Sequence, residues 1–70
     1  MEMIDKLEMD RDRYFGRMRA YHDEAREAAK AGERDVVNLY ICLAQVYGDL
    51  TLHVCYALEL EHQLKTMKGG

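Results

Sequence analysis

Between Val36 and Leu58 the chain carries one formal charge, Asp49, and 17 of these 23 residues are apolar. The whole protein has 70 residues. A chain this short hides about 60% of its unfolded surface, and a lone core of fewer than ~70–80 residues rarely supplies more than ~3–5 kcal/mol. A greasy segment that makes up a third of such a chain is the hardest part of it to accommodate. Residues 1–35 hold 18 of the 23 charged side chains, so the chain divides into a charged half and an apolar half.

The apolar half reads as a long helix, from about residue 35 to about residue 67, with Gly69-Gly70 as a frayed end. At ~100° per residue, Asn38, Gln45, Asp49, His53 and Gln63 fall in one narrow sector. Most of the remaining circumference is Val, Leu, Ile, Tyr, Cys and Ala. The window is long enough to cross a bilayer. Asn38, Gln45, Gly48, Asp49, Thr51 and His53 interrupt it, however, and an Asp near the centre costs ~2.5–3.5 kcal/mol on insertion scales. No basic cluster flanks it to set an orientation, so the reading is a soluble helix and no membrane.

The charged half reads as a helix from about residue 3 to about residue 31. Ile4, Leu7, Arg11, Tyr14, Met18, Tyr21, Ala25 and Ala28 recur in alternating steps of three and four, the signature of one core-facing stripe. Phe15, His22 and Ala29 widen that stripe on one flank. The opposite face carries Asp5, Asp12, Arg13, Asp23, Glu27 and Lys30. Gly32 follows the last periodic residue and suits the left-handed position that ends a helix. Asp35, or alternatively Glu33, then caps the second helix across a turn at 32–34. So short a connection makes the helices antiparallel neighbours.

The fold class expected is therefore an all-α antiparallel two-helix hairpin, forming a single domain over residues 1–70. One partner helix covers one stripe, so the first helix cannot shield the second. The cheapest further apolar surface is a second copy, and two hairpins related by a two-fold axis make a four-helix bundle. Tyr40, Leu43, Tyr47, Leu50 and Val54 are the residues expected at that homodimer interface. Self-association then replaces the disulfides or metals that small proteins otherwise use.

No constellation for catalysis is evident. Serine is absent, the threonines are Thr51 and Thr66, and the sole glycine doublet is terminal. Cys42 and Cys55 lie 13 residues apart, hence ~20 Å apart on one helix, too far to bridge. They read as small, reduced core residues of a cytoplasmic protein, consistent with an acidic N-terminus that has no signal-peptide character. In a hairpin centred near Gly32-Glu33, residue numbers at one level add to about 65. His53 then falls near Asp12, Asp49 near Arg17, His22 near Leu43 and His62 near Met3. This scatter argues against a zinc site, which needs three or four converging ligands. An Asp49–Arg17 ion pair is expected instead, with no metal and no cofactor.

Two surface features remain. Arg11, Arg13, Arg17 and Arg19 are interleaved with Tyr14, Phe15 and Met18, a composition that can bind RNA. Asp10 and Asp12 break the run, its side chains point in different directions, and the net charge of −3 gives no basic field, so nucleic acid is disfavoured. Met9, Gly16 and Ala20 lie within about 40° of one another on the outer face of the first helix. Flanked by Arg13 and Arg17, they form a low strip that a partner protein could approach closely. Met9, Arg13, Gly16, Arg17 and Ala20 are the candidate partner-binding residues.

Three resemblances follow from these residues. The segment AREAAKAGERDVVNLYICLAQVYGDL is similar in rhythm to a tetratricopeptide unit, with Ala28 and Gly32 at the turn, although both helices exceed that family's lengths. The dimeric-hairpin plan resembles plasmid copy-number regulators of the repressor-of-primer type, which implies RNA-loop binding. In length and helix plan the whole chain also resembles small phage-encoded helical-hairpin inhibitors, among them anti-quorum-sensing proteins that antagonise LuxR-type transcription activators. That last resemblance implies a homodimer that blocks a host regulatory protein by occupying its surface. The expected function is accordingly a noncatalytic protein-binding module of the host cytoplasm, with RNA binding as the alternative.

Overall fold

The computed structural model describes residues 2–69 and consists of two helices. Helix α1 spans Met3–Lys30 and α2 spans Arg34–Gly69. They form a helical hairpin. Gly69 is the last residue of α2, and Gly70 lies outside the described residues.

The turn is built by glycine. Gly32 adopts φ +75°, the left-handed region that residues with a Cβ avoid. The Glu33 N–H donates to the Ala28 carbonyl at 3.0 Å, and the Gly32 N–H donates to the Ala29 carbonyl at 3.1 Å. These two bonds make a Schellman motif, which satisfies the last carbonyls of α1. The Val37 N–H donates to the Glu33 carbonyl at 3.0 Å, so α2 starts one residue earlier than expected, with Glu33 in the cap position. Asp35 is not the cap. It sits in the first turn, where its charge opposes the helix dipole's positive end.

The two helices pack through one seam with a seven-residue repeat. On α1 all eight positions from Ile4 to Ala28 in the three-four series are buried or half-buried. On α2 the matching positions are Val37, Tyr40, Ala44, Tyr47, Thr51, Val54, Leu58 and Glu61. Their character alternates. Tyr14 and Tyr21 of α1 interleave with Tyr40 and Tyr47 of α2, with ring centroids 5.7 to 6.0 Å apart. Beside this ladder lie Met18, Ala25, Ala44 and Thr51. The Thr51 hydroxyl donates to the Tyr47 carbonyl at 2.7 Å, which removes its polar cost inside the seam.

The flank positions Phe15, His22 and Ala29, expected to widen the buried stripe, are exposed. A strict seven-residue repeat makes the seam narrow, and α1 has no second neighbour to cover its flank. Surface charges on α1 pair locally. Arg26 reaches Asp23 at 3.8 Å and Lys30 reaches Glu27 at 3.2 Å, which offsets the Asp23–Glu27 repulsion. Glu2 pairs with Lys65 across the open end at 3.7 Å rather than along its own helix with Lys6.

The hairpin measures 57 × 17 × 12 Å. Its thinnest dimension is that of one helix with its side chains, so the molecule is a single layer. Domains ordinarily bury a core between two layers. Among the described residues four are buried: Ala25, Ala28, Ala44 and Leu58. A folded monomer of 8.2 kDa exposes roughly 4,500 Å² by the usual size relation, whereas this hairpin exposes 5561 Å², an excess of roughly 1,000 Å².

Candidate functional site: two apolar faces of one hairpin

Of the twelve large apolar side chains that are exposed among the described residues, nine belong to α2. To one side of its inner seam runs a second series: Val36, Leu39, Leu43, Val46, Leu50, His53, Ala57, Leu60, Leu64 and Met67. The steps again alternate between three and four, and nine of the ten residues are apolar. This outer seam lies roughly 100° around the helix from the inner one, so it looks out of the broad face of the hairpin. It is ~47 Å long at ~1.5 Å per residue. Leu39 is 65% exposed, Val46 53%, Leu60 49% and Leu64 47%. Val36, Leu50 and Ala57 are half-buried at its border, and the other seven residues are exposed.

The tyrosine ladder borders this leucine seam. Tyr40, Leu43, Tyr47, Leu50 and Val54, the residues expected at a dimer interface, therefore lie on one broad face in two roles. Tyr40, Tyr47 and Val54 are half-buried in the seam between the helices, and Leu43 and Leu50 stand beside them on the outer seam. Tyr56, by contrast, is 60% exposed, and it occupies the narrow polar edge with Asp49 and Gln63.

On the opposite broad face the inner seam presents its small residues, and a groove results. It encloses about 470 Å³ and is lined by Phe15, Met18, Ile41, Ala44, Gly48 and Leu52, with His22, Gln45, Asp49 and Thr51 at its rim. Its depth has a simple cause. A Cβ at Gly48 would lie 3.3 Å from the Met18 sulfur, so glycine lets the thioether sit against the α2 backbone. Past His22 and Ile41 the groove continues toward the turn. The large tyrosines fill one side of the helix–helix junction, and Ala44, Gly48 and Thr51 leave the other open.

The proposed partner-binding residues of α1 are all exposed. Met9 and Gly16 lie on the outer edge, and nothing approaches within 4 Å of a Cβ built at Gly16. Arg13 and Ala20 lie beside them, between that edge and the leucine face, and Arg17 turns onto the leucine face. The arginines are locally engaged. Arg13 bonds Asp10 at 3.2 Å and stacks on Tyr14 at 5.4 Å; Arg17 lies 6.0 Å from the Tyr47 ring centre. Arg11 pairs with Asp12 at 3.2 Å, and Arg19 lies over Phe15 at 6.0 Å. Each of the four guanidinium groups has its own local partner, and they do not converge on one site.

The expected Asp49–Arg17 ion pair is not among the salt bridges of the described residues. The level rule placed the two residues along the axis but not around it: Arg17 lies over the Tyr47 ring, on the leucine side of the hairpin, and Asp49 is at the rim of the groove on the opposite broad face. Similarly, Asp12 is occupied by Arg11 rather than His53. His22 lines the groove with Ile41 and does not meet Leu43, which lies on the other face. Among the described residues, no three His, Cys, Asp or Glu side chains converge in a way that could hold a metal ion. Cys42 and Cys55, expected in the core, are free thiols and exposed, because they lie on α2 away from the seam that α1 covers. By length and composition α2 is also apolar enough to cross a membrane, with a window of mean hydropathy 1.3.

The outer seam was readable in the sequence. Its three-four steps from Val36 to Met67 are as regular as those from Ile4 to Ala28. A search for one amphipathic stripe passes over a second stripe on the same helix, because together they make the helix look uniformly apolar. Comparison with known proteins found no matching family model, no matching curated protein and no matching solved structure.

Proposed function

We propose that this chain is a noncatalytic binding protein that acts as a homodimer and blocks another protein by occupying its surface. In its sharpest form it is a phage or mobile-element inhibitor of a bacterial regulatory protein, such as a LuxR-type transcription activator, working in the host cytoplasm. The observation that carries the reading is the roughly 1,000 Å² of surface beyond what a monomer of this mass exposes. A standard protein interface takes about 800 Å² from each partner. Surface of that amount, mostly aliphatic and aromatic and held on rigid helices, suits association better than chemistry. The exposed methionine and glycine on the outer edge of α1, together with Arg13, form the surface offered to the target.

RNA binding gains no comparable support, since the four arginines that suggested it are spread around α1 and engaged with Asp10, Asp12, Tyr14, Phe15 and Tyr47. The test is capture from nuclease-treated bacterial lysate with the intact chain and with Met9→Arg/Gly16→Arg, at low and high salt. A protein retained at high salt by the intact chain and lost with the edge variant supports the proposal. RNA contacts would weaken steeply between about 0.05 and about 0.2 M salt, and retention of RNA alone with that dependence overturns it. So does equal retention by both chains.

A further inference from the structure

The leucine seam and the charges beside it decide how two copies meet. This inference rests on the self-association proposed above and adds the face, the direction and the register. Two hairpins stacked broad face to broad face can be related by a two-fold axis in one of two directions. An axis parallel to the helices sets α1 of one chain over α2 of the other. The leucine seam then lies against Lys6, Asp10, Arg13, Arg17, Glu24 and Glu27, the side chains that α1 presents on that face. Burying those charges against leucine is costly. An axis across the helices sets α2 on α2 and α1 on α1, so apolar meets apolar and charged meets charged.

We propose that two chains pack through the leucine seams of α2 in opposite directions, about an axis that passes between Leu50 and His53. Full overlap of the seam sets this register. Leu39 then stands level with the partner's Leu64, Leu43 with the partner's Leu60, and Leu50 with the partner's His53. Bulky Val46 meets small Ala57. On α1 the same operation brings Arg17 level with the partner's Asp10, twice over. Asp10 is half-buried and already bound to Arg13, so the incoming guanidinium completes a charged cluster at each side of the axis. The excess surface matches the requirement, and the seam's seven-residue repeat is the one that coiled-coil pairing uses. The groove lined by Phe15, Ile41 and Leu52 stays on the outside of the assembly.

The test is disulfide mapping in the full chain with Cys42→Ala and Cys55→Ala. Leu39→Cys and Leu64→Cys are made separately, mixed, and oxidised with diamide. The expected product is the mixed dimer of one Leu39→Cys chain and one Leu64→Cys chain. In the proposed register two copies of residue 39 are separated by ~37 Å along the axis, far beyond the ~7 Å that a disulfide spans. A disulfide dimer of Leu39→Cys alone shows two α2 helices side by side in the same direction and overturns the proposal. A dimer in sedimentation with neither disulfide shows that another face is used and also overturns it. Val46→Cys with Ala57→Cys repeats the measurement near the axis without removing a leucine. A chain that sediments as a folded monomer refutes self-association itself, and a monomer that pellets with phosphatidylcholine vesicles shows that a bilayer covers the seam instead.

Discussion

The inner and outer seams of α2 have the same repeat and different chemistry. The inner one, which holds the hairpin together, mixes Val37, Val54 and Leu58 with two tyrosines, alanine and threonine and ends on Glu61. The outer one, most of which is exposed, is mostly leucine and valine. Leucine and β-branched residues are the better material for helix pairing. Their placement on the outside means that the unit that hides apolar surface is larger than one hairpin. The inner seam instead uses aromatic stacking, worth ~0.5–1.5 kcal/mol per pair beyond burial, to fix which residues face each other.

Substitutions can break this comparison or sharpen it. The largest effect is expected for Tyr47→Ala, which removes a ring stacked on both Tyr14 and Tyr21 and packed under Arg17. Circular dichroism melts should show a loss of about 3 kcal/mol, from lost burial and two aromatic pairs. The loss should persist at every protein concentration, because the contact lies within one chain. Leu50→Ala should cost about 2 kcal/mol per chain more at concentrations where the protein is dimeric than in the isolated hairpin, where Leu50 is half-buried. Equal losses at high and low concentration for Leu50→Ala would erase the distinction between the seams.

His53→Leu replaces the one polar residue of the outer seam and should raise dimer affinity about tenfold, read by sedimentation equilibrium, if that seam is dry. Gly32→Ala tests the turn that sets both seams in register. Its φ of +75° disfavours any Cβ, so a loss of about 1 kcal/mol is expected. Gly16→Ala is the smallest change and has the opposite sign. The site is open and helical, so melting should show a gain of just under about 1 kcal/mol. A target that needs close backbone approach at this edge would bind the alanine variant more weakly even as the fold gains stability.

Local pattern carried much of this structure. The eight positions from Ile4 to Ala28 announced the inward face of α1, and each of them packs inward, Arg11 included. Gly32 marked the turn, and the level rule of about 65 placed Ile4 opposite Glu61 and Ala28 opposite Val37. It failed for Arg17 and Asp49. Level along an axis is a matter of chain length, whereas direction around it depends on helix phase, which a shift of one residue turns by ~100°.

Sequence alone determined that two helices would form, where they would break, and that α2 would be left with more apolar surface than α1 could cover. Those are properties of spacing and composition, set by the helical period and the Cβ of every residue but glycine. Tertiary structure decided which apolar residues became inner seam and which outer. Both series on α2 satisfy the same periodicity, and the choice fell to side-chain volume: tyrosines that interleave across the junction, with Ala44 and Gly48 small enough to let α1 come close.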